Sequence, residues 1–321
     1  MNFTTHEDAE MIETIHAMQS QEQYYHVTDY LSQFATASSS LSSSSSRIMP
    51  PVDASCRELM ATWCNDIATT CNYKTETIAI TMNCLDRFMG TSIAQHEIMV
   101  DRNKYQLAVM VALYSTVKIH EQEAMDPNLV ASLSHGVHSS NDVEEMERKI
   151  LAAIQWRMNP PTIMSFVRIL LNLMPVEMGL NAKQIISDLI EEQITAIAHD
   201  YSFTCYDASH VAYAALLNSI EICSNSIRMD VSHIKKELGV ILKMGNDDFS
   251  TIDKLRNKLY TQIGQKYSQS GATMATVSSS TLANTTTKRH STSSCINATI
   301  SKQSRKESPT SVRSTSAAQA A

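Results

Sequence analysis

Residues 107–114 read LAVMVALY, eight apolar residues in succession. A helix with one wet face alternates apolar and polar positions at a period of 3.6. An uninterrupted run therefore predicts a helix enclosed by others. Stripes at helical spacing surround it on both sides. Upstream, Leu59, Trp63 and Ile67 form one, and Ile78, Met82, Leu85 and Met89 form another, opened by Thr75 as N-cap. Downstream come a short helix over 127–133 and a longer one from Asn141, with Glu144 at capping-box spacing. Its stripe is Val143, Met146, Ile150 and Ile154, and Pro160 and Pro161 end it. The pattern then starts again with Ile163, Phe166, Val167, Leu170 and Met174. Next come Ile186, Leu189, Ile190, Ile194 and Ile197, followed by Val211, Ala215 and Ile220. Two weaker helices over 231–244 and 248–265 complete a second set of five. The expectation is an all-α chain of two tandem five-helix units.

Composition agrees with this reading. The 321 residues are 43% hydrophobic, enough for a core, and only 7 Gly and 7 Pro leave little turn chemistry for a many-stranded sheet. The stretch EQYYHVTDYLSQF, residues 22–34, places Tyr24, Val27, Leu31 and Phe34 at helical spacing and is expected to be one helix packed on the unit that follows. Residues 38–46 are nearly unbroken serine, and from about residue 271 the chain is Ser, Thr, Ala and scattered charge, so both segments are expected to be disordered. The expected organisation has four parts. Residues 1–52 are an N-terminal helix plus serine-rich linker, 53–159 the first unit, 160–267 the second and 268–321 a basic tail.

Charge and motifs exclude several function classes. Lys288, Arg289, Lys302, Arg305, Lys306 and Arg313 against Glu307 alone give residues 270–321 a balance of +5, so a total of −7 leaves −12 on residues 1–269. A duplex-binding body needs the opposite sign, and no nucleic-acid partner is expected. There is no run of about 18 uncharged apolar residues and no signal-peptide pattern, so the expected protein is soluble and intracellular, without a membrane partner. Seven cysteines without a CxxC pair read as reduced core thiols. His135 and His138 have ligand-like spacing but no third ligand, so neither a metal nor another cofactor is expected. Phosphate-cradling glycine loops and the G-x-S-x-G elbow are missing. Glu191 with Glu192, and Asp247 with Asp248, are adjacent pairs that point to different helix faces. No catalytic constellation emerges.

Four segments taken in order carry a resemblance: CRELMATWCNDI, TETIAITMNCLDRFM, YQLAVMVALYSTVKIHEQ and EEMERKILAAIQWRMNPPTIMSF. Together they resemble the cyclin box, and five positions at which cyclin boxes agree are matched by Arg57, Asp86, Leu107, Lys118 and Glu147. TCYDASHVAYAALLNSIE is similar to a helix of the second cyclin fold, although Asp207, Ala208 and Ser209 stand where a Pro-Ser pair is usual. The resemblance covers about residues 22–265, and the phrasing ATW and NCLDRFM is nearest to D-type cyclins. It implies two tandem cyclin folds and a non-catalytic subunit that activates a cyclin-dependent protein kinase in cell-cycle control. The expected location is nucleus and cytoplasm. A transcription-factor-IIB-like adaptor uses the same tandem fold, but it would need a basic body.

The bland reading of each residue stands beside that implication. Arg57 and Asp86 lie on neighbouring apolar helices, where a mutual buried salt bridge is the economical arrangement. Leu107 reads as core. Lys118 and Glu147 read as exposed charges, which the resemblance makes kinase-binding residues. The resemblance also suggests a shallow groove for Arg-x-Leu peptides of substrates or inhibitors, here Cys56, Leu59, Met60, Trp63, Asp66 and Gln106, although Leu59, Met60 and Trp63 serve equally as core. Ser308, followed by Pro309, is the tail's Ser-Pro dipeptide and a possible phosphorylation site.

Overall fold

The computed structural model describes residues 6–39, 50–175, 178–227 and 231–270, all of whose regular elements are helical. The tail, with Ser308, and most of the serine run lie outside the described residues. Two compact units form. Asp29–Met158 make one, and the described residues up to Thr28 join those from Asn159 onward in the other.

In the first unit α2 (Tyr30–Ser39) precedes α3 (Ala54–Cys71), α4 (Thr75–Met89), short α5 (Ser92–Glu97), α6 (Arg102–His120), α7 (Pro127–Leu133) and α8 (Ser140–Ala153). Helix α6 is the enclosed one. Every residue from Tyr105 to Val117 is buried, and α3, α4, α7 and α8 pack around it. Its start is fixed by Asp101, whose carboxylate accepts from the backbone N–H groups of Asn103 and Lys104 at 2.9 and 3.2 Å.

In the second unit α1 (His6–Glu22) packs beside α9 (Ile163–Asn172), α10 (Gly179–Ile197), α11 (Ala208–Ile227), α12 (Val231–Ile241) and α13 (Asn246–Ser270). Here α11 takes the central place, in contact with α9, α10, α12 and α13, and residues 211–220 are all buried. Among the described residues the first unit has seven helices, two of them short, and the second has α1 plus five, so the expected five apiece is exceeded, while one enclosed helix in each answers to the two apolar restarts of the sequence.

Several local expectations are corrected. The stretch 22–34 is not one helix: α1 ends at Glu22 and α2 begins at Tyr30. Asp29 makes the break, because its carboxylate accepts from Ser32 N and Ser32 Oγ at 3.1 and 2.7 Å as a cap. Helix α1, absent from the sequence reading, belongs with the second unit rather than the one that follows it. Serines 38 and 39 are the end of α2. On α3 the inward face is Arg57, Met60, Ala61, Cys64, Ile67, Ala68 and Cys71, while Leu59 is exposed and Trp63 half-buried. Small residues and a paired arginine make that face, which a search for large apolar side chains overlooks. Thr75 is inside α4 with Lys74 at the cap position. The capping box of α8 is Ser139 with Asp142, two residues ahead of the expected pair.

Candidate functional site

The centre of the first unit is ionic. Arg57 on α3 grips Asp86 on α4 with two parallel bonds, Nε to Oδ1 at 2.9 Å and a terminal nitrogen to Oδ2 at 2.8 Å. Both side chains are nearly sealed from water, at 4% and 3% exposure. Burial acts to lower the basicity of Arg57, but the charge and hydrogen bonds of Asp86 outweigh it and raise the pKa. A third bond comes from a residue the sequence reading did not single out: Tyr30 on α2 donates its hydroxyl to Asp86 Oδ1 at 3.0 Å. Gln95 ties the same turn down by donating to the carbonyls of Tyr30 and Met89, at 3.2 and 2.9 Å. The carboxylate thus joins α2, α3 and α4, and the role is structural. Leu107 is buried, as core.

Lys118 and Glu147 are brought together at the surface of the same unit. Lys118 is in the last turn of α6, and its Nζ lies 3.2 and 3.4 Å from the two oxygens of Glu147 on α8. Ser115 Oγ donates to Glu147 Oε1 at 3.2 Å, and the ammonium sits 5.2 Å from the centre of the Tyr114 ring. Partial burial pulls the Lys118 pKa down, yet the Glu147 hydrogen bond and charge, with Tyr114, carry it upward. The lysine stays charged at neutral pH. At 49% exposure for Lys118 and 13% for Glu147, the cation is presented to solvent while the carboxylate is largely shielded.

Sequence reasoning missed two exposed apolar residues, Ile119, next to Lys118 in α6, and Trp156, three residues beyond the end of α8 and 72% exposed. His120 ties its ring nitrogen to the Met158 carbonyl at 3.1 Å, which joins the end of α6 to the segment after α8 that carries Trp156. Gln155 and Trp156 both adopt left-handed backbone, φ 57° and 59°, a conformation that costs about 1–2 kcal/mol in a residue with a Cβ. Arg87 holds that turn by donating to the carbonyls of Arg157 and Ile154 at 2.7 and 3.1 Å. The signal was readable, since Trp156 falls outside the register of Val143, Met146, Ile150 and Ile154. An apolar residue off the stripe is an exposed one.

The six groove positions divide. Leu59 and Asp66 are exposed, Cys56 and Trp63 half-buried, and Met60 and Gln106 buried. Met60 shares the inward face with Arg57, so the core reading holds for it. Among the described residues no group of three or more His, Cys, Asp or Glu could hold a metal ion.

Residues 13–159 match the family described as the cyclin N-terminal domain. Over those residues, a little under half of the chain, the sequence is that of a cyclin N-terminal domain. The chain is 26% identical over 113 residues to a G2/mitotic-specific cyclin-2 from Antirrhinum majus, a match covering 35% of this chain and 24% of that one. With cyclin-F from Homo sapiens it is 24% identical over 161 residues, 50% of this chain and 19% of the relative. The chain therefore spans about a quarter or less of the length of these relatives. Its fold is similar to that of a viral cyclin from Herpesvirus saimiri, with a TM-score of 0.53 at 14% identity over 72% of this chain and 97% of the viral chain.

Proposed function

We propose that this chain binds and activates a cyclin-dependent protein kinase and thereby serves cell-cycle control, with Lys118 and Glu147 at the centre of the contact. The observation that carries the reading is the surface pairing of these two residues, pre-ordered by Ser115, with Ile119 exposed next to Lys118 and Trp156 exposed just past the end of α8. An aromatic anchor beside charge-assisted donors and acceptors is the composition of a binding hot spot. On this reading the apolar pair supplies desolvated area, and Lys118 and Glu147 fix register on the kinase backbone. A protein kinase is active when its C helix is held inward, so that a glutamate on that helix reaches the lysine orienting the ATP phosphates. A rigid helical face that fits only the inward position shifts the equilibrium by its differential affinity for the two states. Catalysis stays with the partner.

The test is reconstitution of the full chain with a panel of cyclin-dependent kinases, followed by Lys118→Ala with Glu147→Ala. The double variant is expected to lose activation of the kinase that the wild type activates. Its melting midpoint should stay nearly that of the wild type, because exposed pairs contribute only about 0–1 kcal/mol. Normal activation by the double variant would remove this pair from the interface.

A further inference from the structure

Helix α1 is anchored to its unit by unusually polar means. Ile15 is its one fully buried apolar side chain among the described residues, with Met11, Ile12 and Met18 partly buried against the core of α9–α13. The rest of its hold is hydrogen bonding. A ring nitrogen of His16 lies 2.9 Å from the Ile241 carbonyl, and Gln19 donates to the Leu242 carbonyl at 2.9 Å. At the end of the helix the buried Glu22 carboxyl accepts from the backbone N–H of Ser209 at 2.7 Å and from its hydroxyl at 2.8 Å. Glu22 thereby caps α11 from a distance of 187 residues in sequence.

The groups facing Glu22 are themselves titratable. Asp207 and His210 belong to the start of α11, with His210 Nδ1 3.6 Å from Asp207 Oδ2. His26, just beyond α1, lies 3.5 Å from Asp207, and Asp248 of α13 lies 3.6 Å from the other His210 nitrogen. A cavity of about 420 Å³ bounded by Glu22, Gln23, His26, Asp207 and His210 opens the cluster to water, so protons can reach it. A neighbouring cavity is lined by Lys243 together with His16, His210 and Asp248.

We propose that this cluster is a proton-operated latch, by which α1 docks on its five-helix unit most firmly on the acid side of neutrality and loosens as the pH rises. The direction follows from which protonation state the docked geometry prefers. A neutral Glu22 carboxyl keeps both contacts, accepting from Ser209 N and donating its proton to Ser209 Oγ, and no longer buries a charge beside Asp207. Burial pushes Glu22 from its ordinary 4.5 up to about 7 against the Ser209 bonds that pull it down, with Asp207 adding to the rise. Docking therefore takes up a proton between these two values, and its strength falls as pH rises through them. Asp207 and Asp248, both outside α1, raise His210 against burial whether or not α1 is docked, and the His210 charge acts to lower Glu22, so the direction of the latch is set by the burial of Glu22. Asp207 is shifted down by the same histidines, and its own loss lies at more acid pH.

Amide hydrogen exchange of the full chain, corrected for the intrinsic rate at each pH, reads the latch. Protection of the α1 amides relative to those of α6 is expected to fall by about tenfold or more between about pH 5 and pH 8. Glu22→Gln, a neutral group of the same shape, should remove most of that fall and protect α1 at alkaline pH better than wild type does. A carbon-13 titration of the Glu22 carboxyl in the wild-type chain should centre near 7. Equal protection of wild-type α1 at both pH values would overturn the proposal. So would a fall in Glu22→Gln as large as in wild type, a parallel fall in α6, or a carboxyl midpoint at its ordinary 4.5.

Discussion

Arg57 with Asp86 and Lys118 with Glu147 are two ion pairs of one helical unit, each joining neighbouring helices, with N···O separations of 2.8 and 3.2 Å. The first has no water to compete with and is bound on three sides, by two nitrogens of Arg57 and by Tyr30. The second leaves its cation half in solvent. Charge separation alone therefore says little about role. Where water is excluded, removing one partner strands a charge in low dielectric, and the pair is committed to the fold. Where water has access, either partner can exchange its bond for one on another molecule at small cost, and the pair is available for recognition.

The largest expected effect breaks the buried pair. Arg57→Ala leaves Asp86 inside with Tyr30 still donating to it, and should cost about 3–5 kcal/mol, a large part of a domain's stability. Denaturant titration of the variant reads it as a lowered midpoint. A midpoint equal to that of the wild type would put Arg57 in the same class as Lys118 and undo the comparison.

Tyr30→Phe sharpens it. Two of the three bonds to Asp86 survive, so the loss should be smaller, about 1.5–3 kcal/mol, the usual net worth of a hydrogen bond to a charged group. Because Tyr30 belongs to α2, the same variant should also speed hydrogen exchange in α2 more than in α6. Equal effects on the two helices would mean that the hydroxyl does not tie α2 to the ion pair.

How much of this was legible depended on where the partners sit. The enclosed helix α6, the second apolar restart and the Arg57–Asp86 pair could be read because each announces itself locally: an unbroken apolar run, a repeated stripe, a charge on an apolar face. Helix α1 could not. Its stripe of Met11, Ile12, Ile15 and Met18 is thin among acids and amides, and its decisive contact, Glu22 with Ser209, joins residues that no spacing rule connects. Asp29, by contrast, was a readable cap ahead of Ser32, and should have divided the 22–34 stretch. On α3 the stripe rule favoured Leu59 and Trp63 over the smaller inward residues. The buried position of Met60 follows from Arg57, three residues earlier on the same face.

The smallest effect expected is also the one of opposite sign. Tyr105, at the start of α6, is 1% exposed, and its hydroxyl has no hydrogen-bond partner among the described residues. Burial first and the nearby Asp86 charge second push its pKa well up, against the pull of Arg57, so the phenol is neutral at any pH the fold survives. An unpaired buried hydroxyl costs free energy that its ring's packing offsets, and Phe keeps the ring. Tyr105→Phe should accordingly leave stability unchanged or raise it by up to about 1 kcal/mol. Measured beside Tyr30→Phe under the same denaturant, the two variants remove the same atom from two tyrosines near one ion pair. If Tyr105→Phe destabilises as much as Tyr30→Phe, the Tyr105 hydroxyl is bonded through an enclosed water, and the ionic centre of the unit is wetter than its exposure implies.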